Sequence, residues 1–141
     1  GNDTLIGNGG DDVLVGGAGS DSMAGGSGND RYFETEPIDS IVELADQGND
    51  IVVVVGWSAY TLPEQVERLR NSGGIADFVG VGNALDNELV GDESSNDVLD
   101  GLSGADTMAG LAGDDIYVFG DPGDIVIEAE AAGSDEVRTT L

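Results

Sequence analysis

Apolar residues recur at a fixed interval along most of this chain, each lying two positions after an Asp or Asn. The opening segment repeats a nine-residue unit, G-G-x-G-x-D-x-U-x, in which U is apolar. Each unit predicts a Gly-rich turn with left-handed backbone angles, followed by a strand of about three residues. The apolar U residues are Leu5, Leu14, Met23, Tyr32, Ile41, Val52, Leu89, Leu99, Met108, Tyr117, Val126 and Val137.

The chain is also duplicated on a longer scale. Residues 16–55 align without a gap on residues 101–140, with 15 identities in those 40 positions. The sequence therefore predicts three parts: a first repeat block at 1–53, connecting coils at 54–81 and a second repeat block at 82–141.

A single nine-residue unit cannot bury its own apolar residue, whereas stacked units can. Alternating turns and strands produce a flattened coil of two units, so each turn lies against the second turn after it. Neighbouring coils then pair as parallel strands. We expect an all-β fold, a β-solenoid whose core is one narrow file of the U side chains.

The connecting segment lacks the repeat and leaves its local structure open. The apolar run Ile51–Val55 predicts a strand buried on both faces. Residues 61–64 read as a helix capping box, but a strand through 66–69 fits the solenoid on either side and is favoured. Trp57, Tyr60 and Phe78 are expected in the core or capping a coil.

Composition raises the question of how such a chain folds. It has 29 acidic residues against four arginines, a net charge of −25, 24 glycines, and neither Cys nor His. The charge argues against nucleic acid and anionic membrane surfaces as partners, and no apolar run is long enough for membrane insertion. Missing Cys and His exclude thiol chemistry and His-based sites. Cations must neutralise the carboxylates if the chain folds.

Turn-on-turn stacking brings the acidic positions together in pairs. Carboxylates about 4.8 Å apart repel each other unless a cation lies between them. Carboxylates together with turn carbonyls form an all-oxygen cage of about 6–8 ligands, which suits Ca²⁺ better than Mg²⁺ or softer metals. The predicted pairs are Asp3/Asp21, Asp12/Asp30, Asp21/Asp39, Asp30/Asp50, Asn87/Asp106, Asp97/Asp115, Asp106/Asp124 and Asp115/Asp135.

The candidate calcium ligands are thus of two kinds, holding at least four ions and up to about eight. The carboxylate ligands are Asp3, Asp12, Asp21, Asp30, Asp39, Asp50, Asp97, Asp106, Asp115, Asp124 and Asp135. The turn residues expected to complete the cages are Gly7, Gly9, Gly16, Ala18, Gly25, Ser27, Gly101, Ser103, Gly110 and Ala112.

Several polar residues leave their roles open or depart from the repeat. Asn87 stands at an Asp position, where a weaker or absent site is expected, and Asn96 competes with Asp97 for the ligand position of an overlong unit. Glu43 and Glu128 are either additional ligands or surface. The other acids, including Asp11, Asp86 and Glu67, are expected on plain surface. Arg68 and Arg70 are expected to pair with Glu64 or Glu67.

Two units, GGAGSDSMA at 16–24 and GGSGNDRYF at 25–33, resemble the hemolysin-type calcium-binding (RTX) nonapeptide. The continuation, including DVLDGLSGADTMAGLAGDDIYVF, resembles long RTX arrays of secreted bacterial proteins. The resemblance implies a right-handed parallel β-roll, calcium between the turns, and export by a type I secretion machine.

Three classes of function are compared on these features. A calcium-binding structural module that folds after secretion of a larger protein agrees with the repeat. Catalysis is disfavoured, because the repeated carboxylates are committed to the turns and neither His nor Lys is present for acid–base work. An adhesion or carbohydrate-binding module is the alternative, although aromatic residues are scarce. The chain is expected to begin and end inside an array, which favours end-to-end contacts between modules.

Overall fold

The computed structural model describes residues 1–34, 38–73, 77–129 and 132–140, apart from the side chain of Glu34. All regular secondary structure in these ranges is β-strand. The described ranges contain no helix that is long and apolar enough to cross a membrane.

The strands form three parallel sheets. One contains β1 Thr4–Gly9, β3 Ser22–Ser27 and β5 Ser40–Ile41. The second contains β2 Val13–Val15, β4 Arg31–Glu34, β6 Ile51–Val54, β8 Arg68–Asn71, β10 Glu88–Val90, β12 Thr107–Ala109 and β14 Ile125–Val126. The third contains β7 Ala59–Thr61, β9 Val79–Val81, β11 Val98–Asp100, β13 Ile116–Phe119 and β15 Glu136–Thr139.

Within each sheet, every strand pairs with the strand two later in the chain, up to the last strand of that sheet. Leu14 on β2 lies opposite Tyr32 on β4, and Leu99 on β11 lies opposite Tyr117 on β13. The intervening strands belong to the opposite side of the coil. The predicted parallel β-solenoid is therefore confirmed, and the seven-stranded sheet runs through both repeat blocks and the segment between them.

The core is the predicted file of apolar side chains. Met23, Tyr32, Val52, Leu89, Leu99, Met108 and Tyr117 are all fully buried. The file is less protected in the first and last coils, where Leu5 is partly buried and Val137 is 53% exposed. The connecting segment adds Leu62, Val66, Leu69 and Phe78 to this core.

The connecting segment supplies coils of the same solenoid. Strand β8 begins at Arg68, two residues later than predicted, and pairs with β6 on one side and β10 on the other, so a strand and not a helix forms here. Phe78 is buried, and Gly80 leaves room for its ring, because a methyl group at Gly80 would lie 2.9 Å from the Phe78 side chain. Trp57 and Tyr60 pack against the core while remaining partly exposed.

The arginine pairing expected from the sequence is wrong. Arg68 donates from Nε to Glu88 at 2.6 Å, and Glu88 lies opposite it on strand β10. Cross-strand register decides this contact, since residues directly opposite on paired strands are closer than residues separated by a turn.

The turns depend on left-handed backbone conformations. Gly28 has φ of +134°, and a methyl group there would clash with the carbonyl of Gly10 in the adjacent coil. Gly10 has φ of +100°, yet nothing lies within 4 Å of a methyl group placed on it. Leu102 and Leu111, which replace turn glycines, keep the left-handed conformation with φ of 67° and 80°.

These two glycines separate backbone strain from steric collision. We expect Gly10→Ala to lower the free energy of unfolding by about 1–2 kcal/mol, the cost of a left-handed Ala. Gly28→Ala should cost more than about 3 kcal/mol, because the coils must also move apart. Urea unfolding in saturating calcium measures both changes. Equal losses would show that the close approach of the coils does not matter.

Candidate metal centre

A file of buried carboxyl groups runs beside the apolar core. Asp30, Asp97 and Asp106 are fully buried, and Asp21, Asp50 and Asp115 are at most 2% exposed. Burial of an ionised carboxylate is costly unless it is hydrogen-bonded and neutralised. The repeat places these side chains here because each Asp precedes by two residues the apolar side chain that anchors its strand.

Each acidic side chain reaches back to the turn stacked before it. One carboxylate oxygen, Oδ1, accepts a hydrogen bond from the backbone N–H of the predicted partner, as Asp21 does from Asp3 at 2.7 Å. The same contact links all eight predicted pairs, at distances from 2.7 to 3.0 Å. The predicted stacking of the acidic positions is therefore present in both blocks.

The second oxygen of these carboxylates has a different environment. Oδ2 is buried without a hydrogen-bond partner among the described residues in Asp12, Asp21, Asp30, Asp39, Asp106 and Asp115. A buried anionic oxygen without a donor is strongly destabilising, so the repeated arrangement indicates a bound cation.

The turn glycines complete the enclosure around this oxygen. A methyl group at Gly16 would lie 2.6 Å from Oδ2 of Asp21, and one at Gly7 would lie 2.6 Å from the carbonyl oxygen of Gly25. A methyl group at Gly25, Gly101 or Gly110 would lie closer still to Oδ2 of the Asp in the same turn. Carboxylate and carbonyl oxygens thus converge where a side chain is excluded, and this donor set suits Ca²⁺.

The remaining turn residues are less informative. The carbonyl of Ser27 accepts a hydrogen bond from Gly10 at 2.7 Å, and the carbonyl of Ala18 accepts one from the terminal amine at 2.6 Å. Gly9 pairs in register with Ser27. The roles of these residues, and of Ser103 and Ala112, as metal ligands stay predictions.

Burial and mutual repulsion shift the acid equilibria of this file. Burial raises the pKa of Asp50 to about 6, and the charges of Glu43, Glu67 and Asp30 add to the shift. Burial likewise raises the pKa of Asp106 to about 6, with a further contribution from Asp124. Desolvation also raises the pKa of Asp115 and of Glu43. Each shift records the cost of a negative charge at these positions.

The two ambiguous asparagines take different positions. Asp97 occupies the buried position in the Asp file, whereas Asn96 is exposed and accepts a hydrogen bond from the backbone of Asp114 at 2.8 Å. Asn87 is buried, but its Oδ1 accepts from Asn83 at 2.7 Å and its Nδ2 donates to the carbonyl of Glu67 at 3.3 Å. Asn87 is thus satisfied by protein groups and brings no charge.

Glu67, expected on plain surface, takes the place of an Asp in the file. Its Oε2 accepts from the backbone N–H of Asp50 at 2.8 Å, the contact that an Asp makes in the regular turns. The longer side chain reaches across a coil of irregular length, so the nine-residue spacing could not identify it. The sequence signal that could have identified Glu67 was an acidic residue near the start of a predicted strand.

A second, exposed series of polar side chains lies one residue before the file. Asp11 accepts from the backbone of Asn29 at 2.8 Å, and Asp86 accepts from Ala105 at 2.8 Å. These bonds run from the later turn to the earlier side chain, opposite to those of the buried file. Asp11 and Asp86 are therefore structural acceptors, which the expectation of plain surface missed.

Glu43 and Glu128 approach the acidic file from the coil that follows it. Glu43 is buried and accepts from the backbone of Gly25 at 3.0 Å. In the second block, Asp115, Glu128 and Asp135 each have a carboxylate oxygen within 4.8 Å of the others. Both glutamates thus lie beside the predicted ligands.

Comparison with known proteins agrees with this geometry. No curated protein matches the chain. The family model of the RTX calcium-binding nonapeptide repeat matches in four copies, over residues 1–32, 81–117 and 91–124. These ranges include more than half of the 141 residues, and both repeat blocks contribute to them. With its stacked Gly-rich turns and buried Asp file, the chain belongs to the RTX calcium-binding nonapeptide repeat family.

Proposed function

We propose that this chain is a structural module that folds when its turns bind calcium, within a larger protein secreted by a bacterium. The observation that carries the proposal is the buried Oδ2 atom without a donor, repeated from turn to turn. A hard divalent cation satisfies such atoms and cancels the repulsion between neighbouring carboxylates.

The proposed ligands are the buried carboxylates and the turn residues predicted with them. Each ion would lie between one turn and the second turn after it, as between those of Asp12 and Asp30, whose backbone and side chain are already joined at 2.8 Å. We infer at least four ions and up to about eight. Eight ions would change the net charge from −25 to about −9.

Coupling between calcium and folding follows from the thin core. Ordering the backbone costs about 1–2 kcal/mol per residue, and among the described residues 15 buried apolar side chains are available to offset that cost. The ionised Asp file adds repulsion. Binding free energy therefore becomes folding free energy, as in other small metal-dependent domains.

The same coupling gives a reason for secretion in an unfolded state. At low internal calcium, the self-repelling chain stays extended, which suits passage through a narrow type I export channel. External calcium then folds it. The three proposed parts, 1–53, 54–81 and 82–141, would fold as one solenoid, since β6 and β8 pair across the first boundary and β8 and β10 across the second.

A structural role also accounts for the acidic groups without catalysis. The buried carboxylates bind backbone N–H groups of the stacked turns, and the chain offers neither His nor Lys as a partner in acid–base chemistry. We propose that any catalytic activity of the parent protein resides outside these residues.

Calcium should convert the chain from an extended to a compact state. In chelator, we expect little strand signal in far-UV circular dichroism and a large hydrodynamic radius. Added calcium should restore both cooperatively, and magnesium at equal concentration should do so poorly, because it retains its waters. A chain fully folded in excess chelator would contradict the proposal.

The position of an Asp in the file should decide its importance. Asp21 is 2% exposed and contacts turns before and after it, whereas the side chain of Asp3 is 64% exposed. Asp21→Asn keeps an acceptor for Asp3 but removes the charge, and should raise the calcium midpoint of folding roughly tenfold. Asp3→Asn, the matched control, should raise it less than about threefold. Equal effects would oppose the stacked arrangement of sites.

Protons should partly replace calcium. The pKa values of Asp50 and Asp106 are raised to about 6 in the fold from 3.8, so the fold binds protons more tightly than the extended chain. Without calcium, the stability of the fold is greatest below about pH 4 and falls as pH rises through 6. Circular dichroism in chelator should therefore show strand signal increasing from pH 7 to pH 4. An unchanged strand signal would contradict the idea that repulsion between carboxylates prevents the calcium-free chain from folding.

A further inference from the structure

Each repeat block contains one glutamate that lies outside the nine-residue motif but beside its carboxylates. Glu43 and Glu128 occupy matching positions in the duplicated segments, 16–55 and 101–140. Glu43 accepts a hydrogen bond from the backbone N–H of Gly25 at 3.0 Å, so it lies beneath a turn glycine of the preceding coil. In both blocks the glutamate lies 18 residues after a turn glycine, where two further repeat units would place another turn glycine.

In the first block the glutamate is held with one oxygen free. Oε1 of Glu43 accepts from the Tyr32 hydroxyl as well as from Gly25. Oε2 is buried without a hydrogen-bond partner among the described residues, and the whole side chain is 8% exposed. Asp30, fully buried, also has a free Oδ2, and it is joined to Asp50 through its backbone N–H at 2.8 Å.

The second block repeats the tyrosine contact with its own residues, although Glu128 is exposed where Glu43 is buried. The Tyr117 hydroxyl donates to Oε1 of Glu128 and accepts from the backbone of Gly110 at 2.8 Å. Carboxylate oxygens of Asp115, Glu128 and Asp135 lie within 4.8 Å of one another. Asp115 is 1% exposed, and its Oδ2 lacks a partner in the described part of the chain.

We propose that Asp30, Glu43 and Asp50, and likewise Asp115, Glu128 and Asp135, form calcium sites of a second class. Three carboxylates lie within 4.8 Å of one another in the second block, and in the first block Glu43 brings a third negative charge near Asp30 and Asp50. A regular turn brings only two stacked carboxylates together. Calcium affinity rises with the number of charged ligands and with the rigidity of the site. These two sites therefore bind calcium more tightly than the turn sites, and each closes the row of sites in its block.

The tyrosines act as positioning residues. Each hydroxyl fixes one oxygen of its glutamate, so that the other oxygen is directed away from the donor. Tyr32 and Tyr117 are both fully buried, which limits the rotamers of the glutamates that they contact. Each tyrosine ring also lies close enough to its site to transfer excitation energy to a bound lanthanide.

The inference rests on the proposed calcium function and is tested on the 141-residue chain. Glu43→Gln and Glu128→Gln retain Oε1 as an acceptor but remove the charge. Glu64→Gln is the matched control, because Glu64 is exposed and lies in the connecting segment. Isothermal titration with calcium counts ions, and circular dichroism verifies that each variant reaches the wild-type strand signal.

Each of the two variants should lose one calcium equivalent from the tightest-binding class, the double variant should lose both, and Glu64→Gln should lose none. Glu128 is exposed in the last described coil, so its variant remains folded even where Glu43→Gln does not. Terbium added below saturation gives a second readout. Its emission excited through tyrosine should fall in Glu43→Gln/Glu128→Gln to the level of Tyr32→Phe/Tyr117→Phe.

The alternatives are distinguishable. If folded Glu128→Gln keeps the wild-type ion count and terbium emission while Asp21→Asn weakens calcium binding, this inference is overturned and the proposed function stands. If the wild-type chain binds no calcium, both are overturned. Loss of an ion from Glu64→Gln as well would show a general effect of charge and would also overturn the inference.

Discussion

Like charges stacked at one position of most turns are the constraint on which this solenoid depends. The parallel coils bring each Asp of the file against the turn of another. In buried Asp21, Asp30, Asp106 and Asp115 the second oxygen is left without a donor among the described residues. Repulsion in a poorly solvated file opposes the same stacking that buries the apolar core. Calcium is the ligand of this repeat family, and under the proposed function its binding would offset that repulsion and so be coupled to folding.

Two opposed series of side chains maintain the register of the coils. Buried Asp30 accepts from the backbone of the earlier turn, at Asp12, while exposed Asp11 accepts from the later turn, at Asn29. A slip by one residue would break both contacts and would move the apolar file to the outside. Polar groups thus specify the register of the coils, because similar apolar side chains in a narrow core distinguish poorly between registers.

Periodicity was sufficient to predict the parallel pairing, the apolar file and the eight stacked pairs, because most units keep the nine-residue spacing and all of them place an apolar residue two positions after the Asp or Asn. It could not predict contacts that depend on irregular coils. Glu67 replaces an Asp through a longer side chain, Gly80 makes room for Phe78, and Arg68 pairs across strands with Glu88. Asn96 and Asp97 were indistinguishable by spacing alone, and burial of Asp97 separates them.

The sheets differ in continuity on the two sides of the coil. The seven-stranded sheet is unbroken from β2 to β14, but the opposite side is divided between the sheet ending at β5 and the one starting at β7. Where the coils are hydrogen-bonded along only one side, the solenoid bends more easily. Tension along the axis would open the divided side first while β4, β6 and β8 stay paired, so the module would bend before it lengthened.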